Sequence, residues 1–224
     1  MDKILSHFSE TVDDYDTVAD KVVFKNEELH IKLVNAIPFK RDEKLNILDL
    51  GCGTGHGMKL VAELFPNSII TGIDFSPKII SKAKEKLLEF SKRVKLIEAD
   101  FNEISFENYD VIISAIAIHN STHTQKENLF NKIFNSLNRG GVFINADFFE
   151  DEPKEDNEHN QKQYEVFLRD NLSGNELKVW LKHAFEEDMP MSLSKQFSIL
   201  RKVGFANPQP IWKYVNEAIY VASK

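Results

Sequence analysis

Gly51, Gly53, Gly55 and Gly57 stand within seven residues, the first of them two positions after Asp49. Glycines so spaced let the backbone pass close to a ligand with no Cβ in the way, and free N–H groups there and at the start of a following helix favour an electron-rich partner. Asp74 lies nineteen residues beyond Gly55, where an acidic side chain at the end of a second strand can accept both hydroxyls of a ribose. His119 and Asn120 lie past the end of a later apolar run, and Asp147 closes another. An imidazole or a carboxylate in such a place can take a proton from a nucleophile.

The spacing excludes two common ligands. A dinucleotide fingerprint needs glycine at the sixth position counted from Gly51, where His56 stands, and a P-loop needs Lys after its last glycine, where Met58 follows Gly57.

Positioning these residues takes strands that end at them and helices that turn the chain back. Ile47, Leu48 and Leu50 read as a strand buried on both faces, and Met58, Val61, Ala62 and Phe65 recur at helical spacing. A second strand ends at Asp74, followed by a helix opening with Ser76-Pro77, and a third runs into Ala99-Asp100-Phe101. Asp110 opens a fourth, with Val111 to Ile113 its apolar centre. A helix from about Gln125 to Leu137 then leads through Gly140-Gly141 into a fifth strand ending near Asp147, Phe148 and Phe149. In an open α/β sheet ligands bind beyond the carboxyl ends of the strands, which makes His119 and Asn120 candidate substrate contacts, and His119, then Asp147, candidate bases.

Residues 1–45 read as two helices, carried by Phe8, Val12, Tyr15 and Ala19 and by Leu29, Leu33, Ala36 and Ile37. They form either a packing extension or a lid. Residues 150–163 are so polar that a mobile loop is expected. Helical spacing resumes around Tyr164 and Trp180, with a break at Ser173-Gly174, and predicts a cap over residues 150–190 whose Tyr164 and Trp180 face the substrate. A helix ending at Gly204 and two closely joined strands, which must form a hairpin, complete residues 191–224.

With 35 acidic and 28 basic side chains the net charge is -7, which disfavours nucleic-acid binding. The lone Cys52 cannot form an internal disulfide, and no apolar run approaches membrane-spanning length. A cytoplasmic protein of one domain, with no membrane partner, is expected; a homodimer is compatible with it. His119, His123, His159 and His183 lack close ligand spacing, so no metal site is expected.

Asp49 with Gly51-Cys52-Gly53-Thr54-Gly55 resembles motif I of the class I S-adenosylmethionine-dependent methyltransferases, and Asp74 and Asp100-Phe101 match later motifs of that family. The resemblance covers residues 46–224. It implies an α/β fold: a three-layer Rossmann-like sandwich around a seven-stranded, mostly parallel sheet with a C-terminal antiparallel hairpin, plus N-terminal helices and a helical cap. S-adenosyl-L-methionine would be the cofactor and S-adenosyl-L-homocysteine the product. Asp49, Gly51, Cys52, Gly53 and Gly55 would hold it, with Asp74 on the ribose, Asp100 and the Phe101 N–H on the adenine, and Phe75 against the ring. Tyr15 would cover it and Ser114 would complete the set.

Relatives that methylate nucleobase amines or protein glutamine carry Asn/Asp-Pro-Pro-aromatic where this chain has Ser114-Ala115-Ile116-Ala117. The expectation is therefore methyl transfer to a small molecule. One rival is tRNA wobble-uridine modification with a carboxylated cofactor, which needs arginines that the motifs lack. The other is a cofactor-binding protein without catalysis.

Overall fold

Alternation of apolar side chains along each strand builds one sheet with a core on either side. The computed structural model describes residues 15–224, so the expectations on Phe8 and Val12 lie outside the described residues. Helices α1 (Tyr15–Val22) and α2 (Asn26–Asn35) precede β1 (Asn46–Leu50), α3 (His56–Leu64), β2 (Ile69–Asp74), α4 (Pro77–Lys86) and β3 (Val94–Glu98). Then come β4 (Tyr109–Ala115), α5 (His123–Ser136), β5 (Leu137–Phe148), α6 (Lys154–Asn171), α7 (Gly174–Lys182), α8 (Leu193–Val203), β6 (Ala206–Tyr214) and β7 (Glu217–Ser223).

The strand order is β3-β2-β1-β4-β5-β7-β6. β1 to β5 are parallel, and β7 pairs antiparallel with both β5 and β6. Ile47, Val111, Ile113, Ile144 and Ala146 face one core with α1, α2, α3, α6 and α7, while Leu48, Leu50, Ile112 and Phe143 face the other with α5 and α8. This is the three-layer sandwich with its C-terminal hairpin. The chain winds from β1 out to β3, then crosses back to β4 on the other side of β1. That reversal opens a crevice at the carboxyl ends of β1 and β4, the usual ligand position in such sheets.

Two elements differ from expectation. Helix α6 already starts at Lys154, inside the polar run expected to be a mobile loop. Most of its residues are exposed, only Tyr164 and Leu168 are buried, and Glu155 and Asp156 lie in its first turn, where carboxylates favour a helix. Gly140-Gly141 lies within β5 rather than before it, because Leu137 pairs with Tyr109 ahead of an irregularity in the β4 register.

Candidate functional site

The glycine loop is shaped by how little room it has. Gly51 N and Cys52 N both donate to Ile73 O, at 2.9 and 3.0 Å, tying the loop to the end of β2. Gly51 has φ 71°, and a Cβ there would lie 2.4 Å from Ala117 Cβ, so only glycine fits. Ile116, beside it, has φ 51°, a strained conformation for a β-branched residue.

Two cavities flank the loop, sharing Tyr15, Gly51 and Ile116 in their walls. The outer one, about 470 Å³, is lined by Asp74, Phe75, Asp100, Phe101 and Asn120. Asp74 accepts from Gly53 N at 3.1 Å and from Ser76 N at 2.9 Å. Burial raises its carboxyl above the usual range, and these backbone donors partly offset that. Asp100 accepts from Asn102 N at 2.8 Å. Lys132 Nζ donates to the carbonyls of Phe101, Asn102 and Ile104 and holds this turn.

The inner cavity, about 180 Å³, is roofed by α1 and walled by Asp49, Cys52, His119, Phe148, Tyr164 and Trp180. Tyr15 lies on the loop, its ring 3.6 Å from where a Gly53 Cβ would stand. Asp16 fastens α1 there, accepting from Thr54 Oγ1 and from Lys86 Nζ, each at 2.5 Å. Tyr164 Oη donates to Val22 O at 2.9 Å, so its hydroxyl holds α1 from the cap side. Asp49 is buried, and burial with the nearby Asp74 raises its carboxyl to about 7. This cavity's wall carries five carboxylates, those of Asp16, Asp20, Glu27, Asp49 and Asp188, and no lysine or arginine among the described residues.

His119 is fully enclosed. Asp147 accepts from its backbone N at 2.9 Å and faces its Nδ1 at 2.5 Å, while Nε2 points towards Asp188 Oδ1 at 3.7 Å. Burial acts to lower the imidazole's pKa, but Asp147 and Asp188 outweigh it and the net shift is upward.

Three expected site residues lie off both cavity walls. Ser114 pairs across the sheet with Leu50 and donates its Oγ to Leu50 O at 2.8 Å, a strand-to-strand contact. Gly55 caps α3 with φ 84° and its open face is filled by Leu87, 2.7 Å from a hypothetical Cβ. Asp147 sits behind His119 and also accepts from Phe148 N at 2.9 Å, so it reaches a substrate only through the histidine. Asp49, Cys52 and Gly53 line the inner cavity, and Asn120 lies on the outer one.

Sequence reasoning missed His30, His56 and Asp188, and did not place His183 at the site; all four line the inner cavity. His30 accepts a neutral ring, burial pulling its pKa down to about 4, and packs edge-on to His56 with centroids 4.8 Å apart. His183 and Asp188 arrive on a single wide helical turn, His183–Glu187, and the residue after it. A helical histidine on the inner face of α2, one turn from Asn26, carries no signal that separates it from a core residue.

A family model described as a methyltransferase domain matches residues 41–195. The chain belongs to that family. This methyltransferase is 25% identical over 213 residues to the carboxy-S-adenosyl-L-methionine synthase of Campylobacter lari, covering 93% of this chain and 89% of the relative. With the protein of that name from Helicobacter pylori strain P12 it shares 29% identity over 181 residues, covering 80% and 74%.

Among solved structures, PigF with S-adenosylhomocysteine superposes with TM-score 0.68 at 17% identity, over 99% of this chain and 61% of that one. Human N-acetylserotonin methyltransferase in complex with S-adenosylmethionine gives TM-score 0.64 at 19% identity, over 87% and 51%. The methyltransferase thus spans about half to three-fifths of those longer chains, and the likeness shows the fold. It is an S-adenosylmethionine-dependent methyltransferase of the class I Rossmann-like fold.

Proposed function

We propose that the protein transfers the methyl group of S-adenosylmethionine to a small-molecule acceptor seated in the inner cavity. The observation that carries this reading is that cavity itself: a small chamber walled by Phe148, Tyr164, Trp180 and His119 that meets the glycine loop. In this reading adenosine occupies the outer cleft, with Asp74 accepting from the ribose hydroxyls, Asp100 from the adenine amino group, and Phe75 and Phe101 against the ring. The sulfonium lies by Gly51 under Tyr15, where the carboxylates favour a cation. The acceptor's lone pair attacks the methyl carbon in line, the carbon–sulfur pair returns to sulfur, and positioning supplies much of the rate. An acceptor hydroxyl or thiol gives up its proton at the His119 end of the chamber. The roof α1 and the cap helices keep water from the reaction.

A second reading is favoured by the relatives named carboxy-S-adenosyl-L-methionine synthase, which suggest a cofactor bearing an added carboxylate. Against it stands the chamber wall, whose described residues offer that anion no lysine or arginine. No helix of the described residues is long and apolar enough to cross a membrane. The small-molecule reading goes with a cytoplasmic enzyme that has no nucleic-acid partner. The test is an acceptor screen following S-adenosylhomocysteine release, with mass spectrometry of the cofactor pool. Acceptor-dependent release with a methylated product supports methyl transfer. A carboxylated cofactor accumulating or co-purifying with the protein replaces it with the second reading.

A further inference from the structure

Two histidines and a carboxylate from two distant parts of the chain converge on one point of the inner chamber. His119 follows β4, whereas His183 and Asp188 come from the cap, and one nitrogen or oxygen of each lies within 4.8 Å of the others. Asp188 Oδ1 is 3.7 Å from His119 Nε2 and 3.4 Å from His183 Nε2. Ligands bonded at about 2.0–2.1 Å to a tetrahedral ion stand about 3.3–3.4 Å apart, close to both spacings.

Behind each ring lies a second carboxylate. Asp147 Oδ1 is 2.5 Å from His119 Nδ1, and Glu187 Oε2 is 3.5 Å from His183 Nδ1. A ring whose Nδ1–H is held by a carboxylate, as that of His119 is by Asp147, turns the lone pair of Nε2 forward, and such outer partners accompany most metal-bound histidines, while Glu187 stands at ion-pair distance from His183 Nδ1. Both forward nitrogens then face Asp188 Oδ1, which is buried and makes no hydrogen bond. Lys126, the buried cation nearby, acts on Asp188 through its charge, but its Nζ donates to the carbonyls of His119, Ser121 and Met189 rather than to the carboxylate. Met189 N donates to His119 O at 3.1 Å, so the cap segment is clamped to the histidine's own backbone. The Asn120 amide, 3.1 Å from His119 Nε2, is the group an incoming ion displaces.

We propose that His119 Nε2, His183 Nε2 and Asp188 Oδ1 form a site for a divalent d-block cation whose remaining position opens into the chamber. Two imidazoles and one carboxylate suit zinc or iron(II). The role of the ion rests on the methyl-transfer reading: an acceptor hydroxyl or thiol that binds it has its pKa lowered and gives its proton to solvent water before the methyl group is transferred. It then attacks as an anion, and His119 serves as a ligand rather than as the base. The acceptor class is therefore a small molecule with a metal-binding oxygen or sulfur. Metal binding itself does not depend on that reading.

The experiment uses the full chain, stripped with chelator and dialysed, and titrated with cobalt(II) by visible absorption and with zinc by calorimetry. One ion per chain with the absorption bands of four-coordinate cobalt is expected. Asp188→Asn and His183→Gln should abolish those bands, and Asp147→Asn should weaken affinity about 10–100-fold. No stoichiometric binding, or the same affinity in Asp188→Asn and His183→Gln, overturns the site. Should those variants fail to fold, X-ray absorption of the zinc-loaded wild type decides: scattering from two imidazoles upholds the site, and one or none overturns it. Stoichiometric binding lost in the variants upholds the site even if no acceptor is methylated. Methyl transfer at an unchanged rate after chelation overturns the role given to the ion.

Discussion

Asp49→Asn replaces one buried oxygen of the inner chamber with an amide and leaves its shape intact. Burial, with Asp74 adding to it, raises the Asp49 carboxyl from 3.8 to about 7. Between those values the folded protein keeps a proton that the unfolded chain gives up, so the folded state binds more protons. Stability is therefore full below the lower value and falls as the pH rises towards the upper one. The slope within that window is about 1.4 kcal/mol per pH unit, so passing from about pH 5 to about pH 7 removes roughly 3 kcal/mol. Asparagine does not titrate and lacks this component. The assay is urea unfolding of both proteins at about pH 5 and about pH 7.5, at one ionic strength. The variant should gain roughly 3 kcal/mol on wild type at the higher pH relative to the lower. A cationic cofactor favours the ionised carboxylate, so saturating S-adenosylmethionine should flatten the wild-type dependence. Equal pH dependence in the two apo-proteins would refute the buried-acid assignment.

Asp74→Ala should weaken S-adenosylmethionine binding by about 1–3 kcal/mol, the value of charge-assisted hydrogen bonds, in a calorimetric titration of the folded variant; unchanged affinity rejects the ribose role. Gly51→Ala, with its Cβ placed 2.4 Å from Ala117 Cβ, should lose cofactor binding or fold poorly, as read by titration and thermal melting. Ser114→Ala removes a strand-to-strand hydrogen bond and should cost about 1 kcal/mol of stability by urea unfolding while leaving cofactor affinity unchanged. His119→Ala should keep cofactor affinity while turnover of an identified acceptor falls; a matching loss of both would make the histidine structural.

The segment from β1 through the glycine loop to α3 was legible because its signals are local: an apolar run, glycines at fixed offsets and a helical repeat within about twenty residues. Asp74 was legible for the same reason, its distance from the loop being set by one helix and one strand. Ser114 was not. Its neighbours are apolar, and only the pairing of Ser114 with Leu50 shows that its hydroxyl is taken by a carbonyl of β1 rather than aimed at the cleft. Asp147 ends its strand as expected, yet its carboxylate turns to the His119 backbone and ring instead of the chamber.

The first half of helix α6 was hidden by its own exposure, since its two buried residues, Tyr164 and Leu168, both lie in the second half and leave the start with no apolar period to read. The cluster of His119, His183 and Asp188 was illegible for a different reason. His119 lies more than sixty residues from His183 and Asp188 and meets them only because the cap folds back over the end of β4.

The most direct test of the central claim is calorimetric titration of the purified protein with S-adenosylmethionine, S-adenosylhomocysteine and NAD in parallel. Micromolar binding of the first two and none of NAD is predicted, because the loop lacks the third fingerprint glycine. Binding of NAD alone, or of none of the three by protein shown to be folded, would contradict the assignment of this cleft to S-adenosylmethionine.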